Sequence, residues 1–133
     1  MITGASEPAP LSGAAIAQAE SPVEVLINNA VGGRPRPYNL DAPLDAEAWD
    51  EAIGLNFTAA RRLAESALPA MRCARWGRII TITGSLALKR INAATPAKAA
   101  IASWSRALSI QVAADGITVN CVAPGRINSE QVL

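Results

Sequence analysis

A chain of 133 residues is long enough for about one domain. Half of its residues are hydrophobic, 17% are charged and the mean hydropathy is +0.21, which is too apolar for a disordered chain. Twelve basic against eleven acidic side chains leave a net charge of +1, so neither a nucleic-acid partner nor a charged tail is expected. The chain has no histidine. That excludes Ser-His-Asp and Cys-His nucleophile systems, removes the usual donor of catalytic zinc, and leaves no metal site to expect. Cys73 and Cys121 match no metal-ligand spacing. They read as free buried thiols, with a single bridge between them as the alternative. The N-terminus, MITGASEPAP, lacks a basic n-region, and no run of about 18 clean apolar residues occurs. A cytoplasmic chain away from membranes is therefore expected.

In chain order, Ile2-Thr3 reads as the stub of a strand and Ala14–Glu20 as a helix. Val23-Glu24-Val25-Leu26-Ile27 is short and rich in β-branched residues and is followed by Asn28-Asn29, so a buried strand is predicted. Residues 31–44 hold Gly32, Gly33, Pro35, Pro37 and Pro43, which marks a loop. Asp45 is a good N-cap, with Glu47 in the first turn. Trp49, Ile53, Phe57, Ala60, Ala64, Ala67 and Met71 then recur at steps of three and four. The spacing predicts one apolar face of a continuous helix over 46–73, with Arg72 and Arg75 suiting its C-terminal dipole.

Ile79-Ile80-Thr81-Ile82-Thr83 is a second buried strand, ending at Gly84-Ser85. Thr95 as N-cap with Pro96 at the first helical position starts another helix. Ile101, Trp104, Leu108 and Val112 mark its core side, and Asp115-Gly116 ends it. Ile117–Val122 is a third strand, stopping at Ala123-Pro124-Gly125. Strands alternating with helices imply right-handed crossovers and a parallel sheet with helices on both faces. The fold class is α/β, a parallel sheet of about three to four strands in one domain over 1–133.

Ligands of open parallel sheets bind outside the carboxyl ends of the strands. Three strand ends here carry Asn28-Asn29-Ala30, Gly84-Ser85 and Pro124-Gly125. Each alone is ordinary turn chemistry. Together on one rim they form a side-chain-poor surface that a flat ligand can approach closely.

The ordered series Leu26-Ile27-Asn28-Asn29-Ala30, Leu55-Asn56-Phe57, Gly77-Arg78-Ile79-Ile80, Lys98-Ala99-Ala100 and Val119–Gly125 resembles the short-chain dehydrogenase/reductase family. The flavour is that of its bacterial 3-oxoacyl-carrier-protein-reductase-like branch. The resemblance runs from about residue 20 to the end. It implies a Rossmann-type sheet, present here as a single partial domain over 1–133, and an NAD- or NADP-dependent oxidoreductase that moves a hydride between nicotinamide and a small carbonyl or alcohol substrate. It also implies a homo-oligomer built through the long helices. By the same resemblance Asn28, Asn29 and Ala30 line the cofactor path, and Asn56 holds a water of a proton relay. Lys98 binds the nicotinamide ribose, and Pro124 and Gly125, with Ile127 and Ser129, form the loop over the carboxamide. Asn56, Ser85 and Lys98 are thus the candidate catalytic residues.

The chain also departs from the pattern. The family's acid–base tyrosine stands four residues before the lysine, where this chain has Ala94, and its one tyrosine, Tyr38, matches no family position. Strict alignment sets Gly84 at the family's serine, with Ser85 one step later. Thr3-Gly4-Ala5-Ser6 mimics the start of the Gly-rich phosphate turn, but no further glycine follows in Glu7–Pro10. The favoured alignment instead matches residues 1–20 to the segment before the Asn-Asn-Ala strand. The chain is then expected to be a fragment lacking the Gly-rich unit and the C-terminal substrate region. Cofactor binding is expected to survive better than turnover, so a catalytically impaired cofactor-binding homologue is the second reading. An interaction module acting only through oligomer contacts is the third.

Overall fold

A computed structural model of the chain describes residues 2–3, 21–30, 43–84 and 92–125. Four strands form one parallel sheet: β1 (Ile2–Thr3), β2 (Val25–Asn28), β3 (Gly77–Ile82) and β4 (Ile117–Val122). The spatial order is the chain order, β1-β2-β3-β4. The register sets Leu26, Ile79 and Val119 side by side, and one rung on, Asn28, Thr81 and Cys121. This is the Rossmann-type parallel sheet expected from the sequence.

Strands added in one direction by right-handed crossovers carry their helices on one face. Accordingly, Leu26, Ile79, Ile117 and Val119 of the sheet pack with Leu63, Ala64, Ala67, Met71, Leu108 and Val112 of the helices in one core. The opposite side chains Val25, Ile27, Ile80 and Ile82 are half-buried, and Val122 is exposed. Among the described residues, then, helices cover one face. The helix expected over 14–20 lies outside those residues.

Asp45 caps helix α1 (Ala46–Ile53) as expected, its Oδ1 accepting from the Ala48 N–H at 2.8 Å. The single helix expected over 46–73 is, however, interrupted. After α1 comes a π-helical turn, Gly54–Thr58, and then α2 (Ala59–Ala74). The wide turn carries an extra residue and re-phases the face upstream of it. Downstream, Ala60, Ala64, Ala67 and Met71 are buried as predicted. Upstream, the buried residues are Ala52 and Asn56, while Ile53 is exposed.

Helix α3 (Ala94–Val112) begins one residue before the predicted cap. Asn92 does the capping: its Oδ1 accepts from the Thr95 N–H at 2.8 Å and from the Thr95 hydroxyl at 3.0 Å. Its core side holds Ile101, Leu108 and Val112 as predicted, with Trp104 packed against the core. A 3₁₀ turn, Ala113–Asp115, and Gly116 at φ 73° lead into β4.

At the N-terminal end of the sheet, Arg72 and Arg75 reach from α2 to Asp115, at 2.7 and 3.4 Å. Arg78 stacks over the exposed Trp76 ring at 4.6 Å and donates to the Gly116 carbonyl at 3.1 Å. The two cysteines are free, but both are exposed rather than buried. Both stand at positions with solvent on one side, Cys73 late in α2 and Cys121 near the end of β4.

Candidate functional site

Because the strands are parallel, their carboxyl ends share one rim. It carries Asn28-Asn29-Ala30 after β2, Thr83-Gly84 after β3 and Ala123-Pro124-Gly125 after β4. Asn28 ends β2 on the covered face and is only 5% exposed. Its Nδ2 makes two long hydrogen bonds of 3.4 Å, to the Ala60 carbonyl and to Thr81 Oγ1. A carbonyl accepts only, so the Ala60 contact fixes which amide atom is nitrogen. The other atom, Oδ1, is buried and accepts no hydrogen bond from the described residues. Beside Asn28 on the rim, Asn29 is exposed and Ala30 half-buried, as is Pro124, while Gly125 is exposed.

Thr83 continues the rim past β3. Its N–H donates to the Val122 carbonyl at 2.9 Å and its hydroxyl to the same oxygen at 3.3 Å. Gly84 follows at φ 79°, a conformation glycine adopts without steric cost, and a Cβ built there meets nothing within 4 Å among the described residues. Ser85 and Ile127 lie outside the described residues.

Lys98 stands in the second turn of α3, one turn after Ala94. Its half-buried Nζ donates to the Ile82 carbonyl at 3.2 Å, which puts the ammonium at the end of β3. Desolvation by burial pulls its pKa down from the ordinary 10.5. The folded chain therefore releases this proton at lower pH than the unfolded chain does. Lys98 penalises folding at neutral pH, and the penalty fades as pH climbs through the folded value towards 10.5. Lys98→Met is expected to melt above the wild type at neutral pH, with the gap closing in alkaline buffer. Melting curves across that range check the sign.

Asn56 sits in the π-helical turn, 5% exposed, with Nδ2 donating to the Ala52 carbonyl at 2.9 Å. That turn packs against α3, the helix that bears Lys98. The structure thus brings Asn28, Asn29, Ala30, Pro124, Gly125 and Lys98 to one rim and buries Asn56 in the helical layer behind it. Sequence reading missed Thr81 and Thr83, the π turn and the Asn92 cap. Gly54, a poor helix former inside a helical pattern, was the signal for the turn.

A family model described as short chain dehydrogenase matches residues 5–132. Nodulation protein G of Azospirillum brasilense is 33% identical over 115 residues, covering 84% of this chain and 46% of that protein. A 3-oxoacyl-(acyl-carrier-protein) reductase of Escherichia coli is 39% identical over 112 residues, covering 81% of this chain and 44% of the enzyme. Among solved structures, L-sorbose reductase of Gluconobacter frateurii, complexed with NADPH and L-sorbose, superposes with a TM-score of 0.77 at 29% identity. It covers 90% of this chain and 45% of its own. A gluconate 5-dehydrogenase of Burkholderia cenocepacia, in complex with NADP and tartrate, gives 0.76 at 26% identity over 89% of this chain and 48% of its own. The chain spans a little under half the length of these relatives. With the family model matching nearly the whole chain, the chain belongs to the short-chain dehydrogenase family.

Proposed function

We propose that this chain binds NAD or NADP along the rim of strand ends and serves hydride transfer between the nicotinamide and a small carbonyl or alcohol substrate. The observation that carries the reading is the convergence of Lys98, Asn28 and the side-chain-poor turns at one edge of a parallel sheet. The donor set suits the group. Gly84 brings no side chain to the rim, Asn28 Oδ1 is a buried acceptor with no donor among the described residues, and Lys98 offers N–H groups to ribose hydroxyls. Asn28, Asn29, Ala30, Pro124, Gly125 and Ile127 are the proposed cofactor contacts, with Lys98 shared between binding and chemistry. Asn56 and Ser85 are the proposed relay and substrate-side residues. When bound, the nicotinamide supplies or accepts the hydride. The chain's own part is to orient the ring and to deliver a proton to the oxygen.

Ala94 weakens that last step. Its methyl group holds no proton, and a positioned acid contributes roughly 10²–10⁴-fold to such reactions. Binding with slow turnover is therefore the reading for the chain as it stands. NADH and NADPH fluorescence titrations test it. An emission shift is expected on binding, and Lys98→Gln should weaken it about tenfold or more, the loss of a charge-assisted hydrogen bond. No shift at millimolar cofactor overturns the reading.

The long helices leave Ile53 43% and Ile110 77% exposed. This supports a homo-oligomer in which a second copy covers them, as the resemblance implies.

A further inference from the structure

We propose a second chemistry for the rim: the Lys98 amine captures small aldehydes and ketones as imines. The proposal goes beyond dinucleotide binding and does not depend on it. Nζ is held at the carboxyl end of β3 by the Ile82 carbonyl, an acceptor that places the nitrogen without neutralising a charge. Among the described residues no carboxylate forms an ion pair with it. Its i−4 and i+4 helical neighbours, Ala94 and Ala102, have methyl side chains, while Thr95 and Ile101 stand at i−3 and i+3. The backbone beside Ile82 runs on to Gly84, which sets no side chain over the amine, and a Cβ built there meets nothing within 4 Å among the described residues.

Desolvation without a counter-charge favours the neutral amine, the form that attacks carbonyl carbon. In the step, the ammonium first loses a proton to solvent. The nitrogen lone pair then bonds to the carbonyl carbon, and the C=O pair moves to oxygen. That oxygen takes up protons and leaves as water, carrying the two hydrogens lost from nitrogen, and a C=N bond remains. No oxidant, reductant or cofactor enters the balance.

The chain holds two lysines, Lys89 and Lys98, which gives the test an internal reference. The intact chain, free of dinucleotide, is treated with benzaldehyde and cyanoborohydride at neutral pH. The reductant fixes any imine as a secondary amine, and peptide mass spectrometry counts it at each lysine. Lys98 is expected to label several-fold faster than Lys89, because desolvation favours its neutral amine. The preference should vanish in urea, and Lys98→Arg should remove the label from that peptide. Equal labelling of the two lysines in the folded chain, or a preference that persists in urea, overturns the proposal. Neither result bears on whether NAD(P)H binds, which the fluorescence titration reports separately.

Discussion

Ala94→Tyr is expected to raise carbonyl-reduction turnover by about 10²–10⁴-fold, the usual contribution of a positioned acid. Ala94 is half-buried at the start of α3, four residues before Lys98, and residues so spaced lie on the same helix face. A phenol there would stand beside an ammonium, which favours its ionised form and brings it nearer the working pH. Ala94→Phe fills the same space without a hydroxyl and should leave turnover at the wild-type level. The NADPH absorbance decay with a small ketone distinguishes the two variants. If tyrosine and phenylalanine behave alike, the missing acid is not what limits this chain.

The second large effect is structural. Gly116→Ala is expected to cost about 2–4 kcal/mol, from a left-handed backbone imposed on alanine plus a backbone clash. Gly116 sits at φ 73°, and a Cβ there would overlap the Arg75 carbonyl oxygen. Neither side can yield easily. Arg75 itself is left-handed at φ 57° and closes α2, its N–H donating to the Arg72 carbonyl. The Arg72–Asp115 and Arg75–Asp115 pairs fasten the same two turns together. Urea unfolding should show a lower midpoint with an unchanged slope. Gly54→Ala is the control: φ is −54° and a built Cβ meets nothing within 4 Å. It should be neutral or stabilising by roughly 0.4–1 kcal/mol, because alanine restricts the unfolded chain.

The strands were legible because each is a short β-branched run punctuated by Asn, Gly or Pro. Position along a parallel sheet then placed their ends on one rim without further information. Asp45 was legible for the same local reason: a cap needs one side-chain oxygen at one position. The helix over 46–73 was misread because periodicity counts 3.6 residues per turn throughout. A single wide turn leaves Ile53 exposed and Phe57 half-buried and buries Ala52 and Asn56, with little trace in composition. The Thr95 cap was misread because two adjacent motifs competed, and Asn92 accepts from Thr95 instead of Thr95 capping for itself. Contacts between distant residues stayed hidden. Neither the Lys98–Ile82 bond nor the Arg72–Asp115 pair follows from local spacing, since each depends on which strand ends meet. The cysteines were expected to be buried on residue type alone, but Cys73 lies exposed late in α2, and Cys121, on the same face of β4 as buried Val119, is exposed near the end of the strand.

Backbone amide shifts of the labelled chain, followed as NADP is added, test the central claim most directly. Perturbations are expected at Asn28, Asn29, Ala30, Thr83, Gly84 and Gly125, with Gly77, Gly116 and Ile117 at the opposite end of the strands unmoved. Shifts confined to that opposite end, or none at saturating dinucleotide, would contradict the assignment of the rim.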